Sequence, residues 1–275
     1  MNRTGLKRDT IDKFYTNLNI ASQCIRWFNE NINIKNTDVI IEPSAGNGSF
    51  IDGLRNISSN CLFYDIEPEH TDIMRQDFLE YSTSNINGFG PNTKIHVVGN
   101  PPFGRQATLA IQFIKKSCSF AHSISFILPK SFKKDSMRNK IPREFHLVFE
   151  SDLPEKSFSV DGDDVNVPCV FQIWEKRDEL REKPTVEKPI GFEFVTKQHP
   201  HDISFRRVGV NAGVVDTETD NKSPQSHYFI RFTNDSNLND NVERVRNLQY
   251  ETNNTVGPRP ISKTEVLHAF NQTFW

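Results

Sequence analysis

The sequence has no apolar run approaching the roughly 18–20 residues that cross a bilayer, and no apolar stretch follows the basic residues of Met1-Asn2-Arg3-Thr4-Gly5-Leu6-Lys7-Arg8. The expectation is a soluble, unexported, cytoplasmic protein with no membrane partner. Cysteine is scarce. Cys24, Cys61, Cys118 and Cys169 lie far apart with no C-x-x-C pair, which excludes the usual zinc and redox signatures and predicts reduced, mostly buried thiols. His199-Pro200-His201-Asp202 has no further ligand cluster nearby, so it reads as a solvated loop and no metal is expected. There is no G-K-[ST] phosphate loop, and G-x-G-x-x-G would need glycine at 51, where Ile51 stands.

What is present bounds the rest. At 275 residues and 36% hydrophobic content, the chain can bury one large core, or one core plus an appendage; collagen, coiled coil and wholesale disorder are excluded. The net charge of −2 hides two opposed blocks. Ten acids face three bases over residues 30 to 80, a net of −7, whereas ten bases face only Asp135 over residues 94 to 143, a net of +9. Charge runs on solvated faces are common, so the meaning depends on what else each block carries.

Short β-branched and aromatic runs alternate with helical patterns. The runs are Val39 to Glu42, Cys61 to Asp65, Ile95 to Val98, Ser123 to Leu128, His146 to Glu150 and Pro168 to Trp174. Such alternation predicts an α/β protein with a parallel, doubly wound sheet. Helices are expected over Asn19 to Glu30, where Ile20, Cys24, Trp27 and Phe28 share a face, and over about Ala107 to Ser117. The last two runs flank a loop with Asp161-Gly162-Asp163-Asp164 and could form a hairpin at a sheet edge. A charged connector ending at Pro184 suggests a boundary, giving a domain over 1–178 and a small extension over 179–275. In the extension, Phe205 to Val215 and His227 to Phe232 read as strands and Lys263 to Phe270 as a closing helix.

Three carboxylates can gather around one glycine turn. The strand Val39 to Glu42 runs into Pro43-Ser44-Ala45-Gly46-Asn47-Gly48, a turn in which glycine lets backbone approach a ligand. Asp65 ends the next run, where an acid commonly meets a ribose diol, and Asp77-Phe78 follows. With Glu42 these acids suit a ligand bearing hydroxyls, amino groups and positive charge, and suit a pyrophosphate badly. S-adenosylmethionine, with a sulfonium and an ammonium against one carboxylate, fits that description.

The third run continues into Gly99-Asn100-Pro101-Pro102-Phe103-Gly104. Two prolines stiffen the loop and remove two backbone donors, leaving carbonyl acceptors. The Asn100 side chain adds an acceptor and Phe103 a ring. Methylating an exocyclic amine needs this set: acceptors take the two N–H bonds and rehybridise the nitrogen, while an aromatic face holds the planar base.

These segments resemble successive motifs of class I S-adenosylmethionine-dependent methyltransferases, in the branch that modifies adenine N6. Lys13-Phe14-Tyr15-Thr16-Asn17 resembles the F-Y-T-P element of the gamma-class DNA enzymes, with Asn17 in place of proline. The resemblance covers about residues 10 to 175. It implies a Rossmann-like seven-stranded sheet with S-adenosylmethionine as cofactor. Thr16 and Glu42 would lie beside the methionine part, with Tyr15, Ser44, Gly46, Gly48 and Asn100 also on the cofactor. Asp65 would hold the ribose hydroxyls, Ile66 would pack on the cofactor's adenine, and Asp77 would accept from its amino group beside Phe78. Asn100 and the Pro101 carbonyl, in the catalytic tetrapeptide Asn100-Pro101-Pro102-Phe103, would accept from the target amine, and Phe103 would stack on the target base. Phe158 matches the aromatic that covers the base's opposite face, or is an ordinary loop phenylalanine.

With that resemblance, the basic block becomes a phosphate-attracting surface beside a cation-binding pocket. Lys130, Lys133, Lys134, Arg138, Lys140 and Arg143 become candidates for backbone contacts to DNA or RNA. The extension is small for a target-recognition domain, so sequence readout could be weak or depend on a protein partner; its Arg206 to Gly213 stretch could touch nucleic acid or cap a sheet edge. The rival readings are methylation of a protein glutamine amide, where the same tetrapeptide occurs, and a non-catalytic methyltransferase-like subunit.

Overall fold

A computed structural model describes residues 14–82, 93–160, 162–182, 187–234, 236–250 and 260–274. In chain order the elements are β1 (Tyr15–Thr16), α1 (Leu18–Asn31), β2 (Val39–Glu42), α2 (Ile51–Arg55), β3 (Cys61–Asp65), β4 (Met74–Arg75), β5 (Ile95–Gly99), α3 (Thr108–Cys118), β6 (Ser123–Pro129), α4 (Asp135–Arg138), β7 (Phe145–Asp152), β8 (Phe158–Val160), β9 (Asp163–Val165) and β10 (Cys169–Lys176). Then follow β11 (Phe192–Val195), β12 (Ile203–Arg206), β13 (Val215–Asp216), β14 (His227–Phe232), α5 (Leu238–Arg246) and α6 (Lys263–Phe274).

Seven strands form one sheet in the order β4-β3-β2-β5-β6-β10-β7. Neighbours from β4 to β6 are parallel, and β10 runs antiparallel between β6 and β7. This is the Rossmann-like seven-stranded sheet that the sequence leads one to expect. Its strands read as unbroken apolar runs because both faces are covered. Val39 and Ile41 of β2, Val97 of β5, and Ile124, Phe126 and Leu128 of β6 enter one core with Ala110, Phe113 and Ile114 of α3. The intervening Ile40, Val98 and Ile127 enter a second core with Ile20, Cys24 and Phe28 of α1. The period-two alternation of side chains thus sends neighbouring residues to opposite faces. Late in the chain, β7 and β10 do pair as expected, but β7 takes the edge and β10 is interior. The connection between them is not all loop: β8 and β9 join β1 in a separate three-stranded sheet, ordered β1-β8-β9.

The four cysteines are free, three of them buried and Cys61 half-buried. Burial pushes the thiols of Cys24, Cys118 and Cys169 well above the usual range, and that of Cys61 to about 11, so they pack as small apolar groups. Among the described residues no helix is long and apolar enough to cross a membrane.

The chain divides into two compact units, Met1–Lys183 and Pro184–Trp275. The second has its own four-stranded antiparallel sheet, ordered β11-β14-β12-β13, and its own core of Phe192, Ile203, Phe205, Ile230, Val245, Val266 and Phe270. The single strand expected over Phe205 to Val215 is two short strands, β12 and β13, joined by a turn in which Gly213 N donates to the Arg206 carbonyl at 2.8 Å. The segments Phe192–Val195 and Leu238–Arg246 are a strand and a helix that the sequence patterns did not single out.

Candidate active site

The sheet order reverses at β2, which has β3 on one side and β5 on the other. Open α/β sheets bind ligands in the crevice beyond the carboxyl ends at such a switch point. A cavity of about 370 Å³ lies there, and a recess of about 30 Å³ shares several of its walls.

The segments after β2, β3 and β5 build these walls. In the glycine turn, Gly48 has φ +87°, and a Cβ there would fall 2.8 Å from Ile51 Cδ1, so only glycine fits without displacement. Gly99, at the end of β5, has φ +150°; a Cβ would sit 3.1 Å from Glu42 Cγ and press on that carboxyl group. The Asp65 carboxylate accepts from the Gly46 amide and the Glu67 amide, both at 2.8 Å. Asp77 accepts from the Leu79 amide at 2.9 Å and caps a short 3₁₀ turn. Backbone donors therefore fix both acids while each keeps lone pairs facing the cavity.

The cavity brings together Tyr15, Ser44, Gly46, Asp65, Ile66, Asp77, Phe78 and all of Asn100-Pro101-Pro102-Phe103. Thr16 and Glu42 line the recess, with Asn100 on both. Gly48 lines neither and shapes the turn. The sequence reading missed Leu79, Leu109 and Phe113, which add apolar wall. Leu109 and Phe113 are four apart on α3, and helical spacing beside the tetrapeptide was the available signal. Glu69, whose carboxylate accepts from the Tyr15 hydroxyl, had no such signal.

Glu42 is 1% exposed, and its Oε2 has no hydrogen-bond partner. Burial, and then the nearby Asp65 charge, hold its carboxyl well above the ordinary glutamate range. The Asn100 amide nitrogen donates to the Phe14 carbonyl at 3.1 Å and to Thr16 Oγ1 at 3.2 Å. Its Oδ1 is buried without a partner. An unpaired buried acceptor costs about 1–3 kcal/mol, so the walls keep two acceptors ready for donors that the protein does not supply. These residues fit S-adenosylmethionine: an acid for the ammonium, a fixed carboxylate for the ribose diol, and an apolar slot for the adenine. After Phe103, Gln106 and Ala107 both adopt left-handed backbone, a strain of about 1–3 kcal/mol each that typically persists where surrounding structure requires it.

Two expectations are corrected. Phe158 is wholly buried, lies on β8 in edge contact with Phe14, and lines neither cavity; its ring belongs to the core and cannot cover a base as placed. Three of the ten cations of the basic block are paired with acids beyond its boundary. Lys130 and Lys133 both bind Asp152, at 2.8 and 3.0 Å, and Arg138 binds Glu150 at 2.8 Å. Lys134 is half-buried beside them. None of the four lines the cavity. Exposed Arg105, Lys115 and Lys140 have no carboxylate partner among the described residues. No group of potential metal ligands occurs among those residues.

No protein-family model matches the chain, and no curated protein matches it. Among solved structures, a candidate RNA methyltransferase from Pyrococcus horikoshii is similar over 62% of this chain and 91% of its own, at 15% identity and a TM-score of 0.47. A methyltransferase subunit of a type I restriction-modification system from Streptococcus thermophilus is similar over 61% and 46%, at 14% identity and 0.43. The Pyrococcus abyssi tRNA (uracil-54, C5)-methyltransferase, solved with S-adenosyl-L-homocysteine, is similar over 56% and 38%, at 15% identity and 0.38.

Proposed function

We propose that the chain is an S-adenosylmethionine-dependent methyltransferase acting on the N6 amine of adenine in nucleic acid, with DNA favoured over RNA. The observation that carries this reading is the Asn100 amide: its nitrogen is engaged, while its oxygen is buried and unpaired beside the unpaired Glu42 acid. Bound in the cavity, S-adenosylmethionine would supply an electrophilic methyl group on its sulfonium. Glu42 would hold the ammonium, Asp65 the ribose hydroxyls and Asp77 the adenine amino group, with Ile66 and Phe78 on the ring. Asn100 Oδ1 and the Pro101 carbonyl would accept the two N–H bonds of the target amine, drawing its lone pair out of conjugation and toward the methyl. Phe103 would stack on the target base. No residue has to take a proton beforehand, because the amine becomes acidic only once methylated.

Exposed Arg105, two residues past the tetrapeptide, and the remaining unpaired cations supply phosphate attraction. An adenine inside a duplex must be flipped out at a few kcal/mol, a cost that a single-stranded target largely avoids. The second unit, with its own core, is assigned to substrate or partner binding. The test is incubation with methyl-labelled S-adenosylmethionine and separated DNA, RNA and protein acceptors, with Asn100→Ala as control. Label as N6-methyladenine that disappears in the control is the expected result. Label in protein alone, or label that survives Asn100→Ala, overturns the reading.

A further inference from the structure

We propose that Thr16 is a positioning residue for Asn100, holding the amide so that its oxygen, and not its nitrogen, faces the reacting amine. The inference rests on the function proposed above. The two ends of an asparagine amide have nearly the same shape but opposite hydrogen-bonding sense. Which end faces the site therefore decides whether it accepts from an amine or repels it.

Here the choice is built into β1. Both hydrogens of Asn100 Nδ2 have acceptors, the Phe14 carbonyl at 3.1 Å and Thr16 Oγ1 at 3.2 Å. Turning the amide over would set Oδ1 against the Phe14 carbonyl and leave two oxygens facing each other. Oδ1 is buried and unpartnered. Thr16 is buried and lines the recess with Glu42 and Asn100, and its hydroxyl oxygen is engaged by the Asn100 amide nitrogen.

The strand that carries Thr16 is itself fixed. Thr16 pairs with Phe158 across the β1–β8 ladder, Asn17 N donates to the Ser157 carbonyl at 3.0 Å, and the Asn17 side chain donates to the Lys156 carbonyl at 2.8 Å. The Phe14 and Phe158 rings meet edge to face, 6.4 Å apart. A chain of contacts thus runs from buried Phe158, through β1 and Thr16, to the catalytic amide. It gives Phe158 a role in place of the base contact that the sequence suggested.

The test compares wild-type protein with Thr16→Val, which keeps the shape but removes the acceptor, and Thr16→Ser, which keeps the acceptor. Side-chain amide NMR of ¹⁵N-labelled full-length protein, with the Asn100 signal assigned by its loss in Asn100→Ala, reads the contact without turnover. Thr16→Val is expected to shift that signal and speed its hydrogen exchange, and Thr16→Ser to restore both. Methyl transfer to whichever nucleic acid takes label should fall about tenfold in kcat in Thr16→Val, a larger fold-change than that in the calorimetric Kd for S-adenosylmethionine. An unchanged Asn100 signal in Thr16→Val would overturn the inference, as would weakened cofactor binding at constant kcat. Failure of the wild-type protein to transfer any methyl would instead overturn the functional reading, whatever the amide signals show.

Discussion

The Ser44 hydroxyl donates to the main-chain carbonyl of Asn100 at 3.0 Å, tying the glycine turn to the Pro-Pro loop. Under the proposed function the turn would hold the methyl donor and the loop its acceptor, so this single bond would help set the distance between them. Ser44→Ala should therefore slow methyl transfer several-fold, equivalent to about 1 kcal/mol, with circular dichroism unchanged. Single-turnover rates at saturating cofactor provide the check.

Glu42 gives a pH prediction with opposite consequences for binding and stability. Its carboxyl is held above its ordinary pKa by burial and then by Asp65, so in the empty protein it keeps its proton to higher pH than a solvated glutamate does. An ammonium ligand binds the ionised form, so cofactor affinity should rise with pH until the free acid is ionised, and binding should release a proton. For folding the sign is reversed. A raised carboxyl pKa favours the folded state at low pH, and that advantage is lost as pH climbs above the unfolded value. Glu42→Gln should flatten the affinity profile, weaken binding, and raise Tm more at pH 8 than at pH 5. Calorimetry across pH and thermal melts test the two halves separately.

At the other end of the sheet, His96 bridges Ser123 Oγ at 2.7 Å and Asp38 at 3.4 Å, all three being buried. Burial outweighs the Asp38 charge and holds His96 below its ordinary value; His122 and His227 are lowered for the same first cause. Asp38 is also lowered: burial pushes it up, but the Lys35 and Lys94 amides and His96 outweigh that. Histidines kept neutral contribute stability above about pH 6.5 that is lost on acidification, and Asp38 adds a loss at lower pH. Denaturant melts should show stability falling from about pH 6.5 downward, with a shallower fall in His96→Gln.

Asp152 holds both Lys130 and Lys133, so removing either lysine should change nucleic-acid binding little. Asp152→Asn releases both cations. It should tighten binding and steepen the dependence of log K on log salt by about 1–2. Because the pairs are partly exposed, little change in Tm is expected. Titrations with labelled DNA at several salt concentrations decide this.

Phe158→Ala should behave as a core cavity, lowering stability by about 3–5 kcal/mol. A loss of activity with unchanged Tm would return the ring to the substrate.

The first unit was largely legible in the sequence because its strands are buried on both faces and flanked by turns. Cys61–Asp65 and Val39–Glu42 have the expected bounds, and Ser123–Pro129 differs by one residue. The site acids were legible for a related reason: a parallel sheet places the residues after each strand at one end, so Glu42, Asp65 and the tetrapeptide had to converge. Strands and helices of the second unit blurred where runs were short and half-exposed, as at Val215–Asp216 and Leu238–Arg246.

Residue types and their order along the chain determined the doubly wound sheet, the carboxylate-rich turn and the acceptor loop, since these follow from local periodicity and backbone stiffness. Partner choice belonged to the tertiary structure. Only there does Asp152 meet Lys130 and Lys133, does Phe158 close beneath Phe14, and does Thr16 turn the Asn100 amide. Such pairings join residues far apart in the chain, and no local pattern records which groups the fold brings within hydrogen-bond reach.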